Sequence, residues 1–118
     1  MFFTNYLYGK SIHTIYKRAH YDGKTEFSYT GVSVTIPRNT LTILCINLVY
    51  ANANPIEFTI STSDVELKSA LNTSQYPRSS LSHICYDTDS DTTYYLWANH
   101  KNSGKNYFDI FQHYFTIK

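Results

Sequence analysis

Val32-Ser33-Val34-Thr35-Ile36-Pro37-Arg38-Asn39-Thr40-Leu41-Thr42-Ile43-Leu44-Cys45-Ile46-Asn47-Leu48-Val49-Tyr50 reads as two strands and the corner between them. Val32, Val34 and Ile36 alternate with Ser33 and Thr35, the period of a sheet with one face on a core and the other in water. Pro37 has no amide hydrogen to give to a ladder, so Pro37-Arg38-Asn39 turns. From Leu41 to Tyr50 the pattern changes, and both faces of the strand are apolar. In an antiparallel protein such a strand needs a second buried surface.

Outward from this stretch the same period recurs. Ile56, Phe58 and Ile60 alternate with Glu57, Thr59 and Ser61, and Thr25 to Tyr29 repeats the theme with Phe27 and Tyr29 expected to face inward. Ile12 to Tyr16 and Leu81 to Tyr86 read as further short strands. Thr93 to Ala98 and Tyr107 to Lys118 are apolar on both faces, like the long strand. Turn residues separate the runs at Asp22-Gly23, Asn52 to Pro55, Tyr76 to Ser80, Asp87 to Asp91 and Asn102-Ser103-Gly104. About eight strands at this spacing make an all-β antiparallel sandwich or barrel. Ser63-Asp64-Val65-Glu66 has the form of a capping box, with Leu67, Ala70 and Leu71 after it. The pattern leaves room for one short helix there, with strand or loop as the alternative.

The 118 residues suit a single domain over 1–118. Ten Lys+Arg against nine Asp+Glu give a formal charge of +1, so no basic stripe marks a nucleic-acid partner. Aromatics at 17% supply a core, which argues against disorder. No apolar run reaches the length of about 18 residues that a membrane helix needs, and Met1-Phe2-Phe3-Thr4-Asn5 lacks the features of a secretory leader. The expectation is no membrane insertion.

Catalytic motifs fail on their own requirements. Ser103-Gly104-Lys105 resembles the end of a phosphate loop, but Asn99 stands where a glycine is needed and Asn106 where the magnesium-binding hydroxyl belongs. Asp87-Thr88-Asp89-Ser90-Asp91 resembles the first half of a calcium loop, but Thr92 replaces the glycine and Ala98 the closing glutamate. It reads as an exposed acidic turn. The five histidines show no ligand spacing. Cys45 and Cys85 fall inside apolar strands and read as free thiols. The expectation is a protein without catalysis, cofactor or metal.

Two sets of residues remain as candidates. Tyr76, Asp87, Asp89, Asp91, Trp97, Asn99, His100 and Asn102 combine aromatic faces with amides and carboxylates near turns. Sugar rings present apolar C–H faces edged with hydroxyls, so this chemistry suits carbohydrate. Leu44, Ile46, Leu48, Phe108, Ile110 and Tyr114 form apolar rows on the two-faced strands and read as a surface between subunits.

The order of segments also resembles a known family. Ser33-Val34-Thr35-Ile36-Pro37-Arg38-Asn39-Thr40 leads into the long apolar strand. Later come Tyr94-Tyr95-Leu96-Trp97-Ala98-Asn99-His100-Lys101-Asn102-Ser103-Gly104-Lys105 and a closing aromatic strand. This pattern, from about Phe27 to Lys118, is similar to the C-terminal receptor-binding head domains of phage and prophage tail-fibre and baseplate proteins. The resemblance implies a jelly-roll sandwich, like complement-type and tumour-necrosis-factor-like domains, that forms a homotrimer. It further implies a virion component at a tail tip or fibre, made in the bacterial host cytoplasm, contacting host-surface glycan or protein and other tail proteins. The alternative is a structural virion protein of the same fold that recognises nothing, and a small glycan-degrading enzyme ranks below both.

Overall fold

The computed structural model describes residues 11–22, 26–50, 56–67, 70–71, 80–86, 89–100 and 105–117. They form eight strands: β1 (His13–Asp22), β2 (Ser28–Ile36), β3 (Thr40–Tyr50), β4 (Ile56–Ser61), β5 (Ala70–Leu71), β6 (Ser80–Tyr86), β7 (Thr92–His100) and β8 (Lys105–Thr116). The first sheet runs β1-β8-β3-β6 and the second β2-β7-β4-β5, every pairing antiparallel. The first strand pairs with the last, the second with the seventh, the third with the sixth and the fourth with the fifth. The chain is thus one long hairpin, folded over so that its successive pairs alternate between two layers. That is the jelly roll.

Alternation decides which side chains meet between the layers. Phe108 and Ile110 of β8, Leu44 and Ile46 of β3, Leu81 of β6, and Ala19 and Tyr21 of β1 face Val34, Ile36, Phe58, Ile60, Leu96 and Ala98 of the second sheet. Phe58 and Phe108 meet edge to face at 5.1 Å between centroids. Side chains among the described residues also tie one sheet to backbone carbonyls of the other. Lys17 donates to Ser33 at 2.8 Å, Tyr21 to Ala98 at 3.3 Å and Gln112 to Thr35 at 3.1 Å. The last two lie in buried or half-buried surroundings, where an unpaired carbonyl is costly.

Several elements differ from the sequence pattern for identifiable reasons. Ser28 and Tyr29, at the end of the first of these runs, belong with Val32–Ile36 to one strand, β2, interrupted by a register shift between Tyr29 and Ser33, while Thr25 lies outside the described residues. Gly31 supplies the positive φ of 88° that this bulge needs. Thr30 completes it by donating to the Leu96 carbonyl and accepting from the Val32 amide. The first strand is longer than Ile12–Tyr16, and its core contacts come from Ala19 and Tyr21 at the far end while His13 to Arg18 are exposed. The described residues contain no helix. Ser63 Oγ does accept from the Val65 and Glu66 amides, at 3.3 and 3.2 Å, but residues 64–67 are not helical. The cap forms without the helix it would start, because this segment is held by the sheet beneath it.

The faces of the two-sided strands are the reverse of the sequence expectation. Leu44, Ile46, Phe108 and Ile110 are 0–2% exposed inside the single chain, and Leu48 packs against the same core. They meet the second sheet of their own molecule, so they are not free to form a subunit surface. Tyr114, on the same parity, is only partly covered and stacks its ring near His13. The face left open carries Ile43 and Ile84 instead. Leu44→Ala should therefore lower the unfolding free energy by about 2–5 kcal/mol, whereas the adjacent Ile43→Thr should cost under about 1 kcal/mol. Urea unfolding of dilute protein compares them, and equal losses would contradict the assignment of faces.

Candidate functional site

Among the described residues, the expected ligand residues fall at two ends of one strand. Tyr76, Asp87 and Asn102 lie outside the described residues, as does the side chain of His100. Asp89 and Asp91 precede the start of β7, while Asn99 and His100 end it. At about 3.3 Å per residue these groups stand roughly 25–30 Å apart along one strand. Asp91 is already engaged at its own pole. Its Oδ1 accepts from the Arg38 amide at 3.0 Å and lies 3.6 Å from Arg38 Nε, bracing the corner between β2 and β3. Asn39 takes a φ of 57° in that corner and its carbonyl accepts from the Ile117 amide. Among the described residues, no group of three or more His, Cys, Asp or Glu is placed to hold a metal ion.

Trp97 is buried by its own chain. Its ring lies on the outer face of the second sheet, and Nε1 donates to the Ser63 carbonyl at 2.8 Å. The segment 62–67 folds back over this face, with the Ser63 amide donating to Ser61 Oγ, so Thr59 and Ser61 are buried despite pointing away from the core. Beside Trp97 stand Tyr95 and Tyr29, whose rings meet edge to face at 5.4 Å. Thr35 and Thr93 hydroxyls pair next to them at 2.9 Å. Two half-exposed tyrosines with hydroxyl neighbours are the part of this face with carbohydrate-binding chemistry; Tyr29, expected to face inward, lies on this outer face because it pairs with Trp97 ahead of the bulge at Gly31.

The outer face of the first sheet is different in kind. Rungs of directly opposed residues run across all four strands: Thr14, His113, Ile43 and Ile84 in one, and Tyr16, Phe111, Cys45 and Ser82 in the next. Leu41 and Phe115 pair on the rung beyond. Ile84 is 65% exposed, Tyr16 50% and Ile43 43%. Exposed apolar side chains thus stand on three of the four strands, interspersed with Thr14, His113 and Ser82, and such a grouping is uncommon on a water-facing surface. Phe111 stacks against His113 and packs on Tyr16, while His113 Nδ1 shares a hydrogen bond of 2.9 Å with Thr14 Oγ1.

One border of the patch is polar. Arg18 donates to both carboxylate oxygens of Asp109, at 2.9 and 3.1 Å, and Tyr16 donates to the same Oδ1 at 2.8 Å. The hydrogen bond from Arg18 holds the Asp109 carboxyl below the usual range, and the bond to Asp109 raises the Tyr16 phenol. Arg18 also lies over the Tyr107 ring. No sequence signal marked this cluster, since Arg18 and Asp109 are 91 positions apart. Only the β1–β8 register joins them.

A second polar cluster sits between the layers. His83 Nε2 lies 3.4 Å from the Tyr94 hydroxyl, with Cys85 on the same strand face. Burial pushes Tyr94 up to about 12, with the Cys85 thiol adding to the shift. Burial also raises the Cys85 thiol and lowers His83. Cys45 and Cys85 are unbridged, and their strands hold them on opposite faces of one sheet.

No family model matches the chain, and no curated protein matches it. Among solved structures, the fold is similar to a chain of the cyanophage Pam1 capsid asymmetric unit, with a TM-score of 0.50 and 15% sequence identity. The match covers 91% of this chain and 86% of that one. At this identity the likeness is one of fold: an antiparallel β-sandwich.

Two outcomes follow. Cys45 should react with a thiol reagent in the folded monomer, while Cys85 should react only on unfolding; equal rates would contradict their placement on opposite faces. His83 has a folded value below its ordinary 6.5, so its contribution is complete above that pH and is lost as pH falls through the folded value. Stability measured from about pH 7 downward should decline in this window. His83→Gln should flatten that slope, and an unchanged slope would remove His83 as its source.

Proposed function

We propose that this protein is a structural component of a virus particle and acts by assembly, without catalysis. The observation that carries the reading is the apolar outer face of the first sheet, which includes the exposed Ile43, Ile84 and Tyr16. A surface of this type is suited to being covered in an assembly. The jelly-roll order and the likeness to a cyanophage capsid chain support a place in the particle shell. That likeness directs the search to the shell ahead of the tail tip that the resemblance to receptor-binding heads implied.

A second reading, host-surface glycan binding by a homotrimer, draws support from the tyrosine pair Tyr29 and Tyr95 beside the Thr35 and Thr93 hydroxyls. Sugar rings stack on such faces. A glycan array separates the two: binding that Tyr95→Ala abolishes, with sheet content intact, would favour the receptor reading.

The principal test uses particles produced by the genome that encodes the chain. After nuclease treatment, a salt wash and a density gradient, the protein should band with the particles in fixed ratio to their major shell protein. Its absence from washed particles would overturn the proposal.

A further inference from the structure

We infer that the outer face of the β1-β8-β3-β6 sheet packs against the same face of a second copy of this chain, around a two-fold axis close to Cys45. This deepens the assembly reading and rests on its claim that the face is covered. It does not depend on the chain being part of a particle.

The occupant follows from shape, charge and area. The face is a four-stranded antiparallel sheet, and flat sheet faces pack best on other sheet faces, about 10 Å apart with near-aligned strands. An identical face supplies that shape without a further partner. The charge pattern permits it as well. The three rungs hold no Lys, Arg, Asp or Glu, their polar members being Thr14, His113 and Ser82, and the bordering Arg18 and Asp109 neutralise each other within one chain. Self-pairing therefore brings no like charges together, and no oppositely charged partner is called for. Four strands about 4.8 Å apart and seven residues long give a footprint of about 450 Å², before side-chain relief is counted. Over both copies this is about 900 Å², the size of a weak, reversible interface.

The geometry also limits the number of copies. Two flat faces laid together close on each other, and a third copy finds no equivalent face. Among the described residues, the second sheet offers no comparable apolar surface, because segment 62–67 covers Trp97, Thr59 and Ser61 there. On the first sheet Cys45 lies on one of the two central strands, in the rung with Phe111 and Tyr16. Two-fold packing centred there brings the two Cys45 thiols near each other, whereas Cys85 faces the core.

The test combines mass and cross-linking on the full chain. Light scattering at micromolar concentration should read twice the chain mass, and a short bismaleimide should give a covalent dimer that Cys45→Ser abolishes and Cys85→Ser does not. Ile43→Asp should raise the dimer dissociation constant about 100-fold or more by burying an unpaired carboxylate. Its far-ultraviolet circular dichroism should be unchanged. Should Ile43→Asp fail to fold, Ile84→Lys on the edge strand provides the same test. A monomer would overturn the inference, as would a trimer. So would a dimer that cross-links without Cys45 or that survives both charged variants. A Cys45-linked dimer that is absent from washed particles would remove the virion reading and leave this interface standing.

Discussion

The position of β8 between β1 and β3 is the constraint on which the rest of the structure depends. The last strand supplies Phe108 and Ile110 to the core and pairs along its length with both neighbours. It closes the outermost pair of the folded hairpin, and it makes the first sheet continuous from β1 to β6. These pairings join residues from opposite ends of the sequence, so loop-closure entropy opposes them until several long-range contacts form together. Folding should accordingly be slow for a chain of this size.

Much of the fold was legible in the sequence, because period two is local. Val32 to Ile36 and Ile56 to Ser61 show their inward and outward faces directly, and the Pro37 corner separates two strands as expected. Leu41 to Tyr50 does not show its faces. Where both parities are apolar, only the partner strands decide which one meets the core. Leu81 and Cys85 of β6 align with Ile46 and Thr42, and Ile110 of β8 with Ile46, so the Leu44–Ile46 parity turns inward. A one-residue register slip would have reversed it. The ligand residues were illegible for a related reason. Nearness to turns suggested a cluster, but among the described residues Asp89 and Asp91 stand at one end of β7 and Asn99 at the other.

The two outer faces divide the surface chemically. The second sheet presents tyrosines and hydroxyls and is partly covered by the chain's own segment 62–67, anchored through Trp97 and Ser61. The first sheet presents Ile43, Ile84, Phe111 and Tyr16 with a neutralised ion pair at the border. Core and open face draw on the same strands, one parity each. Stability of the chain and the proposed assembly would thus be encoded in alternating residues of the same strands.

Isotope-filtered nuclear Overhauser measurements on a mixture of labelled and unlabelled chains test this division most directly. The account predicts intermolecular cross-peaks from the methyl groups of Ile43 and Ile84 and none from Leu44, Ile46 or Ile110. Intermolecular peaks from Leu44 or Ile46, or none from any residue of the first sheet, would contradict it.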